Sequence, residues 1–193
     1  MVAVAGVREA IAAGDRRSIT FFGPCQALEE ELYRGSIRSD QELLARARQL
    51  GSSLQVSDGR EKVWRAGDVL VGEVREATPA IARARRVYLC PGAHMIVEIA
   101  GNVVRITSFG GTGCVIFGNR FTQKLASEAI RRCGGRVDET LIRGIMADAA
   151  SRTASVSRDH TVLKSDVVPP AGALLEALRS DCSRSGWRLC ALQ

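Results

Sequence analysis

The sequence predicts an α+β fold with mostly antiparallel sheets. Three observations carry this reading. Short apolar runs of strand length, divided by Gly, Pro and Asn, fill residues 53–117. The hydrophobic period then lengthens to that of helices over residues 121–149. The strands come in blocks rather than alternating one for one with helices.

Val2–Ala5 and Ala10–Ala13 read as two short strands joined by a tight connection. Gln26–Arg34 and Ser39–Leu50 read as helices. Ser39 with Glu42 three residues on is a capping box, and Gly51 ends the helix. Leu43, Leu44, Ala47 and Leu50 make its apolar stripe. This pair, residues 26–50, reads as an inserted hairpin rather than a core layer. Strands are expected at Ser53–Ser57, Val69–Val74, Arg86–Cys90, Met95–Ile99, Val103–Ser108 and Cys114–Phe117. Thr78–Arg86 is the expected mobile loop. Phe121, Leu125, Ala129, Ile130 and Cys133 fit a helix closed by Gly134-Gly135. Asp138 caps a second helix bearing Leu141, Ile142, Ile145, Met146 and Ala149. Val156–Leu163 reads as a strand and Leu174–Leu178 as a final helix, in a tail from about residue 170 with little pattern.

A length of 193 residues implies one domain over 1–193. At 46% hydrophobic but only 5% aromatic, the core must be built from Val, Ile, Leu and Ala. No apolar run approaches the roughly 18 residues of a membrane span, and no signal-peptide pattern opens the chain. The net charge of +6 is scattered, and Arg83-Ala84-Arg85-Arg86 is its densest cluster. Without interleaved aromatics to stack bases, nucleic acid is not an expected partner. A solvated basic face or a docking surface for an acidic partner remains. The six cysteines contain no C-x-x-C and are accompanied by two His, which argues against zinc and leaves no cofactor indicated. They read as small core residues in a reducing cytoplasm, with Cys182 and Cys190 close enough in sequence to pair.

Among 24 Arg the chain has three Lys, and Lys62 precedes the apolar strand at Val69–Val74. A desolvated Lys lowers its pKa and exchanges protons where Arg does not, so Lys62 suits the tuning of a neighbouring nucleophile. The alternative is a surface Lys at a strand start. Asp15 directly follows the second strand. It either balances a buried Lys or sits at a turn accepting backbone N–H bonds. Ser108–Cys114 is a Gly-rich loop that either presents backbone N–H groups and the Thr112 hydroxyl to a reacting carbonyl or is a plain turn. It lacks the G-K-[ST] ending of a phosphate loop. Thr153–Asp159 gathers three hydroxyls near a strand start.

Several stretches in order resemble the archaeal connectase family, proteins of methanogens related to proteasome β subunits. They are Ala13–Phe21, Glu29–Ile37, Arg60–Val63, Leu70–Val74, Ile116–Asn119 and Thr153–Ser157, spread over about residues 3–165. The resemblance implies a four-layer αββα sandwich of the N-terminal-nucleophile type. It implies an N-terminal Thr or Ser, exposed by removal of the initiator Met, that attacks a backbone carbonyl in another protein. The acyl group would pass to the amine of a second polypeptide, making the protein a sequence-specific ligase and transpeptidase. The implied partner is the A subunit of the membrane-bound methyltransferase complex of methanogenesis. A cytoplasmic, non-membrane-embedded monomer or small oligomer is implied with it.

By the same resemblance Lys62 lowers the nucleophile's pKa and Asp15 orients that Lys. Ser157 supports the N-terminal amine and Thr112 lies in the matching Gly-rich loop. The chain opens Met1-Val2, and neither residue is such a nucleophile. An upstream start, a catalytically silent relative that binds the same polypeptide, and a shifted first strand all account for this. A threonine-type peptidase of the proteasome kind is a third reading, disfavoured by the 26–50 insert.

Overall fold

The computed structural model describes residues 1–77, 82–134 and 137–190. It begins with strands β1 (Val2–Ala5), β2 (Ala10–Asp15) and β3 (Ser18–Phe22). Helices α1 (Gln26–Tyr33) and α2 (Asp40–Gln49) follow. Then come β4 (Ser53–Ser57), β5 (Val63–Ala66), β6 (Val69–Ala77), β7 (Ala82–Cys90), β8 (Ala93–Ala100), β9 (Val103–Gly110) and β10 (Gly113–Ile116). Helices α3 (Arg120–Arg132) and α4 (Glu139–Arg152), strand β11 (His160–Ser165), helix α5 (Ala173–Ser185) and strand β12 (Arg188–Leu189) complete the order. The protein is α+β, as the blockwise pattern predicts. The chain divides into two compact units.

The first unit comprises Met1–Ala13, Lys62–Val115 and Val162–Gln193. Its main sheet runs β12-β9-β8-β7-β6-β5, antiparallel throughout except that β12 lies parallel to β9. Strand alternation sorts the side chains. Ala84, Tyr88 and Cys90 of β7 join Val71, Met95, Val97 and Val104 on one face. Helix α5 covers that face with Leu174, Leu178 and Cys182, a stripe at four-residue spacing. Burying a side chain of this size contributes about 2 kcal/mol, so the face is held mainly by apolar burial. The second sheet has the order β10-β1-β2-β11. Every residue of β1 and β2 is buried, which is why they read as Ala- and Val-rich runs without polar alternation.

The second unit comprises Gly14–Glu61 and Ile116–Thr161. Its ribbon pairs β3 with β4 in antiparallel register, Ser18 opposite Ser57. Leu28, Leu32, Leu43 and Ala47 of α1 and α2 pack with Ile37, Ala154 and the ribbon residues Ile19, Phe21, Leu54 and Val56. The expected insert at 26–50 is therefore a core layer of this unit, because both apolar stripes are buried. The capping box is displaced by one residue. Ser39 Oγ accepts the Glu42 N–H at 3.2 Å, but the Glu42 carboxylate accepts from Arg38 N rather than from Ser39. Asp138 caps α4 as its position predicts, accepting the Leu141 N–H at 2.8 Å.

Other expectations change. β3, β5 and β12 are short strands that the pattern does not announce. Val156–Asp159 is a loop, and the strand there starts at His160. Residues 82–86 of the expected mobile loop belong to β7, because they pair with β6. Thr78–Ile81 and Gly135 lie outside the described residues. The Gly-rich loop shrinks to a Gly111-Thr112 turn between β9 and β10.

Candidate functional site

In the first unit the site is built around a glycine in a strand. Gly72 lies mid-way along β6, opposite Val63 of β5 and Val87 of β7. A Cβ on Gly72 would clash with Met1 Sδ and lie 3.1 Å from Met1 Cε and 3.3 Å from Val87 Cγ1. Glycine here thus provides space, letting residue one lie directly on the strand. Met1 is 9% exposed. Glu73 N–H donates to the Lys62 carbonyl at 2.8 Å, extending the β5–β6 ladder by one rung. Lys62 therefore sits one rung from the strand position on which residue one is seated, and it is half-buried. A Gly inside an apolar strand pattern is a legible sign of close backbone approach, and Gly72 is the residue that reading for catalytic side chains misses.

The adjoining Glu73 is nearly fully buried and holds a second feature the sequence conceals. Its carboxylate accepts from Arg86 Nε at 2.6 Å and from Arg75 Nε at 2.5 Å. Arg86 Nη1 donates to Asp181 Oδ2 of α5 at 2.7 Å, and Tyr88 O–H donates to the same oxygen at 2.7 Å. The Arg86 guanidinium lies over two indoles, 5.1 Å from the Trp64 centroid and 4.6 Å from that of Trp187. Arg184 also pairs with Asp181. Burial works against the Glu73 carboxylate, but the charge and hydrogen bond of Arg86, aided by Arg75, outweigh it and hold its pKa below the usual range. Burial pushes the Tyr88 phenol well above its ordinary value. Arg86, expected within a solvated basic cluster, is buried instead, because its place in β7 turns it toward α5.

Thr112 is exposed in the turn after β9. That turn wraps His94: Gly111 O lies 2.8 Å from His94 Nδ1, and a Cβ on Gly110 or Gly113 would press on the imidazole at 2.8 or 3.1 Å. The neighbouring Gly92 N–H donates to Gly6 O, just past β1. Gly6 is five residues from Met1, on the order of 15 Å along an extended strand. The Thr112 turn accordingly lies toward the opposite end of β1 from residue one.

Asp15 and Ser157 lie in the second unit, at one backbone segment. Asp15 is buried, and its Oδ2 accepts the Arg17 N–H at 3.0 Å, a local turn bond of the Asx kind. The Arg16 N–H is shared between Ser157 Oγ at 2.9 Å and Asp159 O at 3.2 Å. Ser157 O–H donates to Asp159 O at 2.7 Å. Next to them Arg17 is an unannounced hub. Its guanidinium forks onto Asp58 at 2.8 and 2.7 Å and onto Asp40 at 2.5 and 3.1 Å, and it donates to Ala154 O at 2.7 Å. Asp58, with Asp40, raises the guanidinium pKa above its ordinary value despite desolvation. Nothing in the local sequence signals it, since its partners lie 23 and 41 residues away.

Among the described residues no group of three or more His, Cys, Asp or Glu side chains is placed to hold a metal. Cys182 is buried in α5 and Cys190 exposed after β12; both are free thiols, so the available pairing is not made. Among the described residues no helix is long and apolar enough to cross a membrane.

Fold and site together define an α+β protein whose first residue is seated on a glycine of an antiparallel strand. The family model described as "Connectase MJ0548-like, N-terminal domain" matches residues 1–183, and the chain belongs to this family. No curated protein matches the chain.

Proposed function

We propose that this protein acts on a polypeptide as a sequence-specific ligase and transpeptidase, on a four-layer αββα scaffold of the N-terminal-nucleophile type. The observation that carries the reading is the seating of residue one on Gly72, one rung from Lys62. In this reading a Thr or Ser with a free α-amine occupies the start of the mature chain. Its hydroxyl adds to a backbone carbonyl while the α-amine accepts the proton. The C–N bond breaks, the leaving amine takes the proton, and an acyl ester remains. A second polypeptide's amine then displaces the ester, restoring the hydroxyl. By family resemblance Lys62 lowers the nucleophile's pKa, Asp15 orients that Lys, and Ser157 supports the N-terminal amine. By family resemblance the partner is the A subunit of the membrane-bound methyltransferase complex of methanogenesis.

The test starts from the intact mass and first residue of the protein purified from its native host. A Thr or Ser start leads to an acyl-transfer assay with that subunit. There Lys62→Arg is expected to keep the fold and abolish transfer, since Arg does not release its proton. Undiminished transfer by the variant removes Lys62 from the mechanism.

The burial of the Met1 side chain against Gly72 favours a second reading, a catalytically silent protein that binds the same polypeptide. A mature chain that starts at Met1 or Val2 and still captures the subunit selects it.

A further inference from the structure

The sheet face that carries Gly72 continues, within the first unit, into a basic pocket. Val74 follows two residues after Gly72 on β6, about 7 Å along the strand and on the same face. It stands opposite Arg85 of β7; Arg85 stands opposite Glu98 of β8, and Glu98 opposite Arg105 of β9. On the next rung of that face Arg83 stands opposite Ala100, and Ala100 opposite Val103. Directly opposed residues of an antiparallel pair point the same way, so these side chains share one side of the sheet. The small side chains of Ala100 and Val103 leave a cavity of about 530 Å3 between the charged ones. Among the described residues three guanidiniums line it against one carboxylate. Among the described residues no ion pair or side-chain hydrogen bond engages Arg83 or Arg105.

We propose that this pocket binds an acidic side chain of the polypeptide partner, next to the seat of residue one. Guanidinium forks match carboxylates in two parallel hydrogen bonds, and the pocket's excess positive charge over Glu98 selects an anion. Among the described residues the pocket carries no aromatic side chain, the stacking platform that a nucleic acid would use. The assignment rests on the reading that the partner is a polypeptide, and it turns the expected basic docking surface into a site of stated residues.

The test is calorimetric titration of the full chain with the peptide acetyl-Gly-Ser-Asp-Asp-Ser-Gly-amide, its Asn-Asn counterpart, and inorganic phosphate. The Asp peptide is expected to bind at least about tenfold tighter than the Asn peptide, and to weaken as salt is raised. Arg83→Gln combined with Arg105→Gln is expected to bring the Asp peptide to the level of the Asn peptide. Glu98→Gln is expected to tighten the Asp peptide severalfold. Both positions are exposed, and circular dichroism verifies that each variant is folded. Equal binding of the two peptides, binding of phosphate without preference for the Asp peptide, or full Asp-peptide affinity in the double Arg variant overturns the proposal. Binding is read without acyl transfer, so a catalytically silent chain passes or fails this test independently of the ligase reading.

Discussion

Replacing Arg86 with Met tests how the first unit is held together. The substitution keeps an unbranched apolar stem of similar length and removes the charge. It leaves Glu73, 4% exposed, and Asp181, 3% exposed, without the guanidinium 2.6 and 2.7 Å away. Stranding one side of a buried ion pair costs roughly 3–5 kcal/mol. Lost stacking between Trp64 and Trp187 adds about 1 kcal/mol. For a chain of this size that lowers the melting temperature by about 10 °C. The assay is direct, because the chain's two tryptophans are the two that flank Arg86, so indole fluorescence follows this unit.

A pH series adds a second criterion. The folded-state pKa of Glu73 is depressed, so its contribution is present above the ordinary carboxylate value of 4.5 and is lost as pH falls through the lower folded value. Arg86 is a principal source of that depression. The stability gap between wild type and Arg86→Met should therefore narrow as pH drops below about 4.5. Replacing Arg86, Glu73 and Asp181 together by apolar residues should recover most of the loss. A single-variant loss below about 1 kcal/mol at neutral pH, or a gap that widens in acid, refutes the reasoning.

Arg17→Lys keeps a charge but cannot fork onto both Asp40 and Asp58, and it should destabilise the second unit by about 2 kcal/mol in denaturant unfolding. Gly72→Ala should displace the Met1 side chain at a cost of about 1 kcal/mol, and Met1→Ala should rescue it; additive losses would mean the two do not touch. Cys114 is exposed as a residue, yet desolvation of its thiol pushes the pKa up to about 11. Its alkylation by iodoacetamide at neutral pH should be much slower than that of a small-molecule thiol and should accelerate toward that pH.

Local chemistry is legible in this chain. Apolar period, caps and turn residues determine β1, β2, β4 and the helices α2 to α4, because those signals act within a few residues. The family is legible for a related reason: short motifs keep their order along the chain even where each alone is weak. The Asp at the end of β2, the Ser near the start of β11 and the Lys before β5 are visible as types, but what they touch is not. Asp15 accepts from Arg17, two residues on, whereas Ser157 reaches Arg16 across 141 positions. Gly72, Arg17 and Arg86 owe their roles to partners tens of residues distant, and composition reads the two arginines as ordinary surface charge. Only the tertiary structure turns Arg86 inward between two indoles, seats residue one on Gly72, sets the Thr112 turn toward the other end of β1 and gathers Arg83, Arg85 and Arg105 around one cavity. Strand alternation assigns each residue a side of its sheet. Which side is covered is decided by the elements that pack there.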